Sequence, residues 1–171
     1  MRIGILSDSH EELHNLDQAL TIFREHEIET VIHCGDITTP RTAARLKGFR
    51  VIHVSGNMDR TDGGLRRALI DLNADNFSGH FFTGQLNGVW IAAAHGHQPH
   101  HLHTFIADGR YAYIFHGHTH RRRDEWVNKS RVINPGALGG RQPESRSVCI
   151  IDLAVQTADE ADPVKFVAIL F

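Results

Sequence analysis

In the first half of the chain, short apolar runs alternate with longer stretches in which apolar residues recur every three or four positions. The short runs predict β-strands, and the longer stretches predict amphipathic helices. The predicted elements are strands at 2–7, 30–34 and 50–54 and helices at 11–25, 39–47 and 65–72. Strands that alternate with helices are joined by crossovers and form a parallel sheet. The first half is therefore expected to be an α/β unit.

In the second half, strand-like runs follow one another more closely, and one helical stretch, 98–107, interrupts them. The predicted strands are 79–83, 88–94, 111–115, 125–127, 131–133, 147–153 and 164–171. The turn Gln85–Gly88 separates the first two, and the polar segment Thr157–Pro163 is predicted to be a hairpin connection. Closely spaced strands favour an antiparallel second sheet, so the pattern predicts two sheets with helices outside.

Composition narrows the class of protein. The chain has 171 residues, a size typical of one domain, so residues 1–171 are expected to form a single domain. A hydrophobic fraction of 41% and a net charge of −2 exclude a disordered chain and argue against a nucleic-acid-binding surface. No apolar run reaches the roughly 18 residues of a membrane span. Asp8 comes too early for a secretory leader, so a cytoplasmic location is expected.

Histidine is the exception to this ordinary composition, with 14 residues in the chain. Side chains that can bind metal follow the predicted strands, where the carboxyl ends of strands line the ligand crevice of an α/β sheet. These residues are Asp8, His10, Asp36, Asn57, His95, His118 and His120. Seven such ligands exceed the needs of one metal ion, and they suit two ions held close together.

The order of these residues identifies a family resemblance. Asp8-Ser-His10, Gly35-Asp36, Gly56-Asn57-Met-Asp59, His95-Gly96 and Gly117-His118-Thr-His120 resemble, in that order, the five blocks of the calcineurin-like metallophosphoesterase superfamily. Asn134-Pro-Gly136 is similar to a turn in its small stand-alone microbial phosphodiesterase branch. The resemblance implies a four-layer α/β/β/α sandwich of two mixed sheets flanked by helices, with a dinuclear metal centre at one end.

The resemblance also implies how the two ions are bound. Asp8, His10, Asp36 and His120 would hold one ion, and Asp36, Asn57, His95 and His118 the other, so that Asp36 bridges them. A hydroxide bridging the two ions would attack the phosphorus in line. Manganese is the first expectation for the metal, with iron, zinc, nickel and cobalt as alternatives.

One position departs from the family pattern. Larger members have a histidine after Gly-Asn, where it helps to protonate the leaving group, and this chain has Met58. His97 is the candidate proton donor in its place, and Asp59 is expected to orient a neighbouring ligand or water. His33 and His53 alternate with apolar residues inside strands, so they are expected in the core or behind the site.

The expected function is hydrolysis of phosphate esters, with a small phosphodiester as the preferred substrate and a phosphomonoester as the alternative. Two other functions remain open: a non-catalytic interaction subunit of the same fold, as in the retromer coat, and a nuclease of the same superfamily. The filled ligand positions argue against the first, and the charge and length of the chain against the second. Assembly as a homodimer fits a small domain of this branch.

Overall fold

The first sheet combines parallel and antiparallel strands. The computed structural model describes residues 1–60, 63–141, 144–154 and 162–169. The six strands of this sheet have the order β11-β10-β1-β2-β3-β4. They are β1 (Arg2–Leu6), β2 (Thr30–His33), β3 (Arg50–Val54), β4 (Phe77–Gly79), β10 (Ser147–Asp152) and β11 (Val164–Ala168). β1 to β4 are parallel, whereas β10 runs antiparallel to both of its neighbours, β1 and β11.

The second sheet is also mixed. Its five strands have the order β5-β6-β7-β9-β8. They are β5 (Phe81–Leu86), β6 (Val89–Ala94), β7 (Tyr113–Phe115), β8 (Arg122–Val127) and β9 (Ser130–Pro135). β6, β7 and β9 are parallel, and β5 and β8 are the antiparallel outer strands. The predicted turn between β5 and β6 is confirmed, with Asn87 and Gly88 both at positive φ, as a two-residue hairpin requires.

Three hydrophobic clusters separate four layers. One lies between the two sheets, and Ile5, Ile52, Ile91 and Phe115 are among its members. The second lies between the first sheet and α1 (Leu13–Glu25), α2 (Pro40–Ala43) and α3 (Gly64–Leu72). The third lies between the second sheet and α4 (Pro99–Asp108). The expected α/β/β/α sandwich of two mixed sheets is thereby confirmed.

Several expectations drawn from the hydrophobic pattern need correction. The second sheet is not antiparallel, because β6, β7 and β9 run in the same direction. The strand predicted at 79–83 is divided at His80, so that β4 completes the first sheet and β5 begins the second. The helix predicted at 39–47 is α2 followed by a 3-10 turn, Ala44–Leu46.

The predicted connection Thr157–Pro163 and the last two residues of the predicted strand 164–171 lie largely outside the described residues. Within the described ranges, the helices lack either the length or the apolar character that a bilayer span requires.

Candidate active site

The predicted ligands converge where strands of both sheets end. Asp8, Asp36 and Asn57 lie just beyond β1, β2 and β3, which are adjacent and parallel. His95 and His118 lie just beyond β6 and β7 of the second sheet. The candidate site therefore spans the ends of both sheets, and the two sheets must be packed together before it exists.

Five of these residues have a left-handed backbone. Asp8, His10, Asp36, His118 and His120 have φ angles of 53°, 43°, 59°, 67° and 56°. For residues other than glycine this conformation costs about 1–2 kcal/mol each, and it persists where the surroundings impose it, most often at functional sites. The chain is thus bent at the points where these side chains must turn towards one another.

In each of the two carboxylates, Asp8 and Asp36, hydrogen bonds hold one oxygen in place, and the second oxygen faces the site. Asp8 Oδ2 accepts hydrogen bonds from Ser7 Oγ at 2.6 Å and from the His118 backbone N–H at 3.0 Å. Its Oδ1 is buried and has no hydrogen-bond partner among the described residues. Asp36 Oδ1 accepts from the Met58 N–H at 2.8 Å, and its Oδ2 lies 3.4 Å from His95 Nε2. Both free oxygens are therefore oriented to receive a cation.

Two histidines close one side of the site. His10 Nε2 and His120 Nε2 are 3.2 Å apart, and His120 Nε2 lies 3.2 Å from Asp8 Oδ1. His120 Nδ1 donates a hydrogen bond to the Arg141 carbonyl, which leaves the Nε2 lone pair facing the site. Asp8, His10 and His120 form one group with the spacing needed to hold a metal ion. His10 Nε2 also lies 3.6 Å from Asp36 Oδ2, so both carboxylates border this group.

A second group forms on the other side. Asp8, Asp36 and His95 bring one ligand atom each within 4.8 Å of one another. His95 Nδ1 donates to the Cys34 carbonyl at 2.6 Å, so its Nε2 faces the carboxylates. Asn57 Oδ1 is 3.2 Å from this Nε2, and the His118 ring packs against the His95 ring with centroids 5.1 Å apart. All seven predicted ligands are thus brought together, although His118 lies outside the two closest groups of histidines and carboxylates.

The atoms present fit divalent cations. Two nitrogens bound to one cation at 2.0–2.1 Å lie about 3.0–3.4 Å apart, and the two imidazoles facing Asp8 have that separation. Although burial acts to raise its pKa, the nearby imidazoles of His10, His120 and His95 hold the pKa of Asp8 well below the usual range. Asp8 is therefore ionised at neutral pH, and an ionised carboxylate with a bare buried oxygen needs a positive partner.

Asp59 lies behind the ligands and connects their loops. Its Oδ2 accepts hydrogen bonds from the backbone N–H groups of Asp36 at 3.0 Å and Gly56 at 2.7 Å, and its Oδ1 accepts from Thr38 at 2.7 Å. His53 Nε2 donates to the same Oδ2 at 3.1 Å. Burial acts to raise the pKa of Asp59, but these bonds lower it overall. The carboxylate thus fixes the loops that carry Asp36 and Asn57.

His33 and His53 are buried supports, as the alternation in their strands predicted. His33 Nε2 donates to Ser9 Oγ at 2.6 Å, and its Nδ1 accepts from the Gly35 N–H at 3.2 Å. Complete burial and the neighbouring His53 lower the pKa of His33 to about 3, so it is neutral. The sequence did not indicate these partners, because alternation reveals burial but not what a side chain contacts across the sheet.

His97 lies at the edge of the site, beside the ligand histidines. Its ring centroid is 5.4 Å from that of His95 and 6.3 Å from that of His118. Its Nδ1 is buried and has no hydrogen-bond partner among the described residues. Burial, with His95 and His118 nearby, lowers the pKa of His97. Met58 is 55% exposed, and its backbone N–H donates a hydrogen bond to Asp36 Oδ1.

Two glycines are required by close approach. A Cβ on Gly117 would lie 1.9 Å from Ser7 Oγ and 2.6 Å from Asp8 Oδ2. A Cβ on Gly56 would lie 2.0 Å from Asp36 Oδ1. Any side chain at either position would displace the carboxylate that the glycine contacts, which explains why glycine precedes His118 and Asn57 in the sequence motifs.

Comparisons with known proteins agree with this geometry. The sequence profile of the calcineurin-like phosphoesterase superfamily domain matches residues 1–156. A phosphodiesterase of Methanocaldococcus jannaschii is 34% identical over 154 residues, which cover 89% of this chain and 93% of that protein.

Solved structures show the same fold. An archaeal phosphodiesterase superposes with a TM-score of 0.88 at 31% identity, covering 98% of this chain and 99% of that one. A zinc-bound Vps29 of Entamoeba histolytica has a TM-score of 0.69 at 17% identity, with 99% of this chain and 100% of that one covered, and shares the fold alone. The profile match and the 34% identical relative together place this chain in the calcineurin-like phosphoesterase superfamily.

Proposed function

We propose that this chain is a dinuclear metal-dependent phosphodiesterase. One divalent cation would be held by Asp8, His10, Asp36 and His120, and the other by Asp36, Asn57, His95 and His118. Manganese is the first candidate for both positions, with iron, zinc, nickel and cobalt as rivals, since carboxylate, amide and imidazole ligands accept all of these metals.

The main support is the buried, partnerless Asp8 Oδ1. It lies 3.2 Å from His120 Nε2, 3.8 Å from His10 Nε2 and 3.9 Å from His95 Nε2. An ionised oxygen surrounded by imidazole nitrogens at these distances, with no hydrogen bond to satisfy it, is poorly solvated unless cations lie between them. The relatives named as phosphodiesterases support the same reaction class.

The protein residues divide the work in a definite way. When bound, two divalent cations polarise the phosphoryl oxygens and lower the pKa of a water molecule towards neutrality. Asp8 and Asp36 supply the negative charge that retains the cations, and the amide of Asn57 adds an oxygen ligand without further charge. Asp59 holds the Asp36 and Asn57 loops in register, which limits reorganisation during turnover. His97, which lies beside His95 and His118, is assigned the role of proton donor to the leaving oxygen.

The proton-donor role of His97 predicts a dependence on the leaving group. The His97→Ala variant is expected to hydrolyse an aryl diester with a good leaving group at close to the wild-type rate. It should hydrolyse an alkyl diester about 100-fold more slowly, because a poor leaving group needs protonation. The measurement is kcat for both substrates, with His103→Ala, a histidine exposed on α4, as the matched control. Equal losses on both substrates would remove His97 from this role.

The function itself is tested with metal-stripped protein. Manganese reconstitution is expected to restore hydrolysis of bis-p-nitrophenyl phosphate, with slower turnover of p-nitrophenyl phosphate. Metal content is measured on the same samples, so that failure to bind metal is distinguished from failure to react. Two bound equivalents without turnover of either ester, for every divalent metal tried, would refute the enzyme and favour an interaction subunit.

A further inference from the structure

A cavity of about 580 Å³ opens directly beside the candidate metal site. Asn57, Asp59 and His97 belong to its wall, so the cavity and the site share residues. Its outer wall is formed by the start of α3, by His80 between β4 and β5, and by Gln98 before α4. Organic ligands occupy pockets of roughly 300–1000 Å³, so this space is sufficient for one alcohol group of a diester.

The described residues of this wall include two arginines, Arg60 and Arg66, and one carboxylate, Asp59. Asp59 is the one carboxylate among the described residues that line the cavity, and both of its oxygens already accept backbone hydrogen bonds. Arg66 lines the cavity from α3, and its guanidinium has no hydrogen bond or ion pair with any part of the chain that the structure describes. Several arginines outside the cavity pair with carboxylates, for example Arg122 with Glu144 and Arg123 with Glu125. Among the described lining residues, the cavity therefore offers the unmatched positive charge of Arg66 and no carboxylate oxygen without a hydrogen bond.

We propose that this cavity binds one alcohol group of the phosphodiester and selects an alcohol that carries a further anionic group, a carboxylate or a second phosphate. Arg66 is the specificity-determining residue, because its guanidinium can pair with that group while the phosphodiester lies at the ligand cluster. His97 and Asn57, at the junction of cavity and site, set the direction in which the alcohol extends. This inference rests on the proposed phosphodiesterase function and adds its substrate class.

The test compares two symmetric diesters of nearly equal shape, bis(4-carboxyphenyl) phosphate and bis(4-carbamoylphenyl) phosphate. Because both ester groups are the same, the charged group enters the cavity whichever ester is cleaved. Release of the phenol is measured by chromatography with the manganese-loaded protein. Wild type is expected to show a kcat/KM about fivefold higher for the carboxylate diester, the scale of one partly exposed ion pair.

The matched variants are Arg66→Gln and Arg67→Gln. Both arginines lie in α3, and of the two only Arg66 is among the described residues that line the cavity. The preference should disappear in Arg66→Gln, persist in Arg67→Gln and weaken in 0.5 M salt. Arg67→Gln should hydrolyse both diesters at the wild-type rate. Equal kcat/KM values in wild type, or a preference that survives Arg66→Gln, would overturn the inference and leave the phosphodiesterase intact. Absence of hydrolysis of any diester, bis-p-nitrophenyl phosphate included, would refute the enzyme and this inference with it.

Discussion

Replacing Asp36 by asparagine is expected to lower the kcat for bis-p-nitrophenyl phosphate by about 1000-fold, the effect of losing several kcal/mol of metal-assisted stabilisation. The amide can still accept the hydrogen bond from the Met58 N–H, so the loop should keep its shape. In wild type, Asp36 Oδ2 lies 3.4 Å from His95 Nε2 and 3.6 Å from His10 Nε2. The variant has an uncharged amide group in place of this negatively charged oxygen. In our assignment Asp36 would help to hold both cations, so bound metal should fall together with turnover.

The measurement is kcat and metal content for wild type, Asp36→Asn and Asp17→Asn. Asp17 is a fitting control because it undergoes the same change of charge on the surface of α1, where it pairs with Arg45 at 3.0 Å. Circular dichroism should be unchanged in both variants. An Asp36→Asn protein that keeps more than a tenth of the wild-type turnover would show that this carboxylate does not hold the reacting cations.

The positions of the candidate ligands in the fold could be predicted from sequence because they depend on a local rule. Asp8, Asp36 and Asn57 each follow a short apolar strand, and parallel neighbouring strands end at one edge. His95 could be placed in the same way, at the end of β6. The order of the sequence motifs then predicted that the histidines of the second sheet share a site with the residues of the first. Hydrophobic periodicity alone does not predict this.

Strand pairing could not be predicted in this way, because it depends on contacts distant in the chain. Ser147–Asp152 reads as one more strand after a run of strands, but it pairs with β1 at the other end of the sequence. The division at His80 is also invisible in the pattern, since Phe77–Gly79 is short and joins the next strand almost directly. The cavity beside the site could not be predicted for a similar reason. In the sequence, Arg66 is typical of a solvent-exposed helix residue, and only the position of α3 beside the site places it in the cavity wall.

The roles of Asp59 and His53 also depend on contacts made across the sheet. The sequence predicted that Asp59 would orient a ligand or a water, and in the structure its hydrogen bonds go to three backbone N–H groups and to His53. Its influence on the ligands therefore passes through the main chain. We therefore expect Asp59 to affect both the stability of the protein and its metal affinity, whereas a direct metal ligand would affect chiefly the metal affinity.

The Asp59→Asn variant is therefore expected to lose about 2–4 kcal/mol of unfolding free energy, since each buried N–H left without an acceptor costs about 1–3 kcal/mol. Asparagine has one acceptor oxygen, and its amide N–H group would face backbone donors at either former oxygen position. The dissociation constant for manganese should rise about 10–100-fold, as is typical when a group that supports metal ligands is changed. Urea unfolding of metal-stripped protein and metal titration below the unfolding midpoint measure the two effects separately.

The pH dependence distinguishes this role from simple loss of packing. The folded-state pKa of Asp59 lies below its ordinary value of 3.8, so its charge stabilises the wild type at neutral pH. That contribution declines as the pH falls below 3.8, where the unfolded chain takes up the proton first. The stability difference between wild type and Asp59→Asn should therefore be constant from pH 7 to 5 and shrink in stronger acid. Asp71→Asn, an exposed change on α3, should follow the wild type throughout. A difference that does not change with pH, or unchanged metal affinity in Asp59→Asn, would mean that Asp59 contributes packing alone.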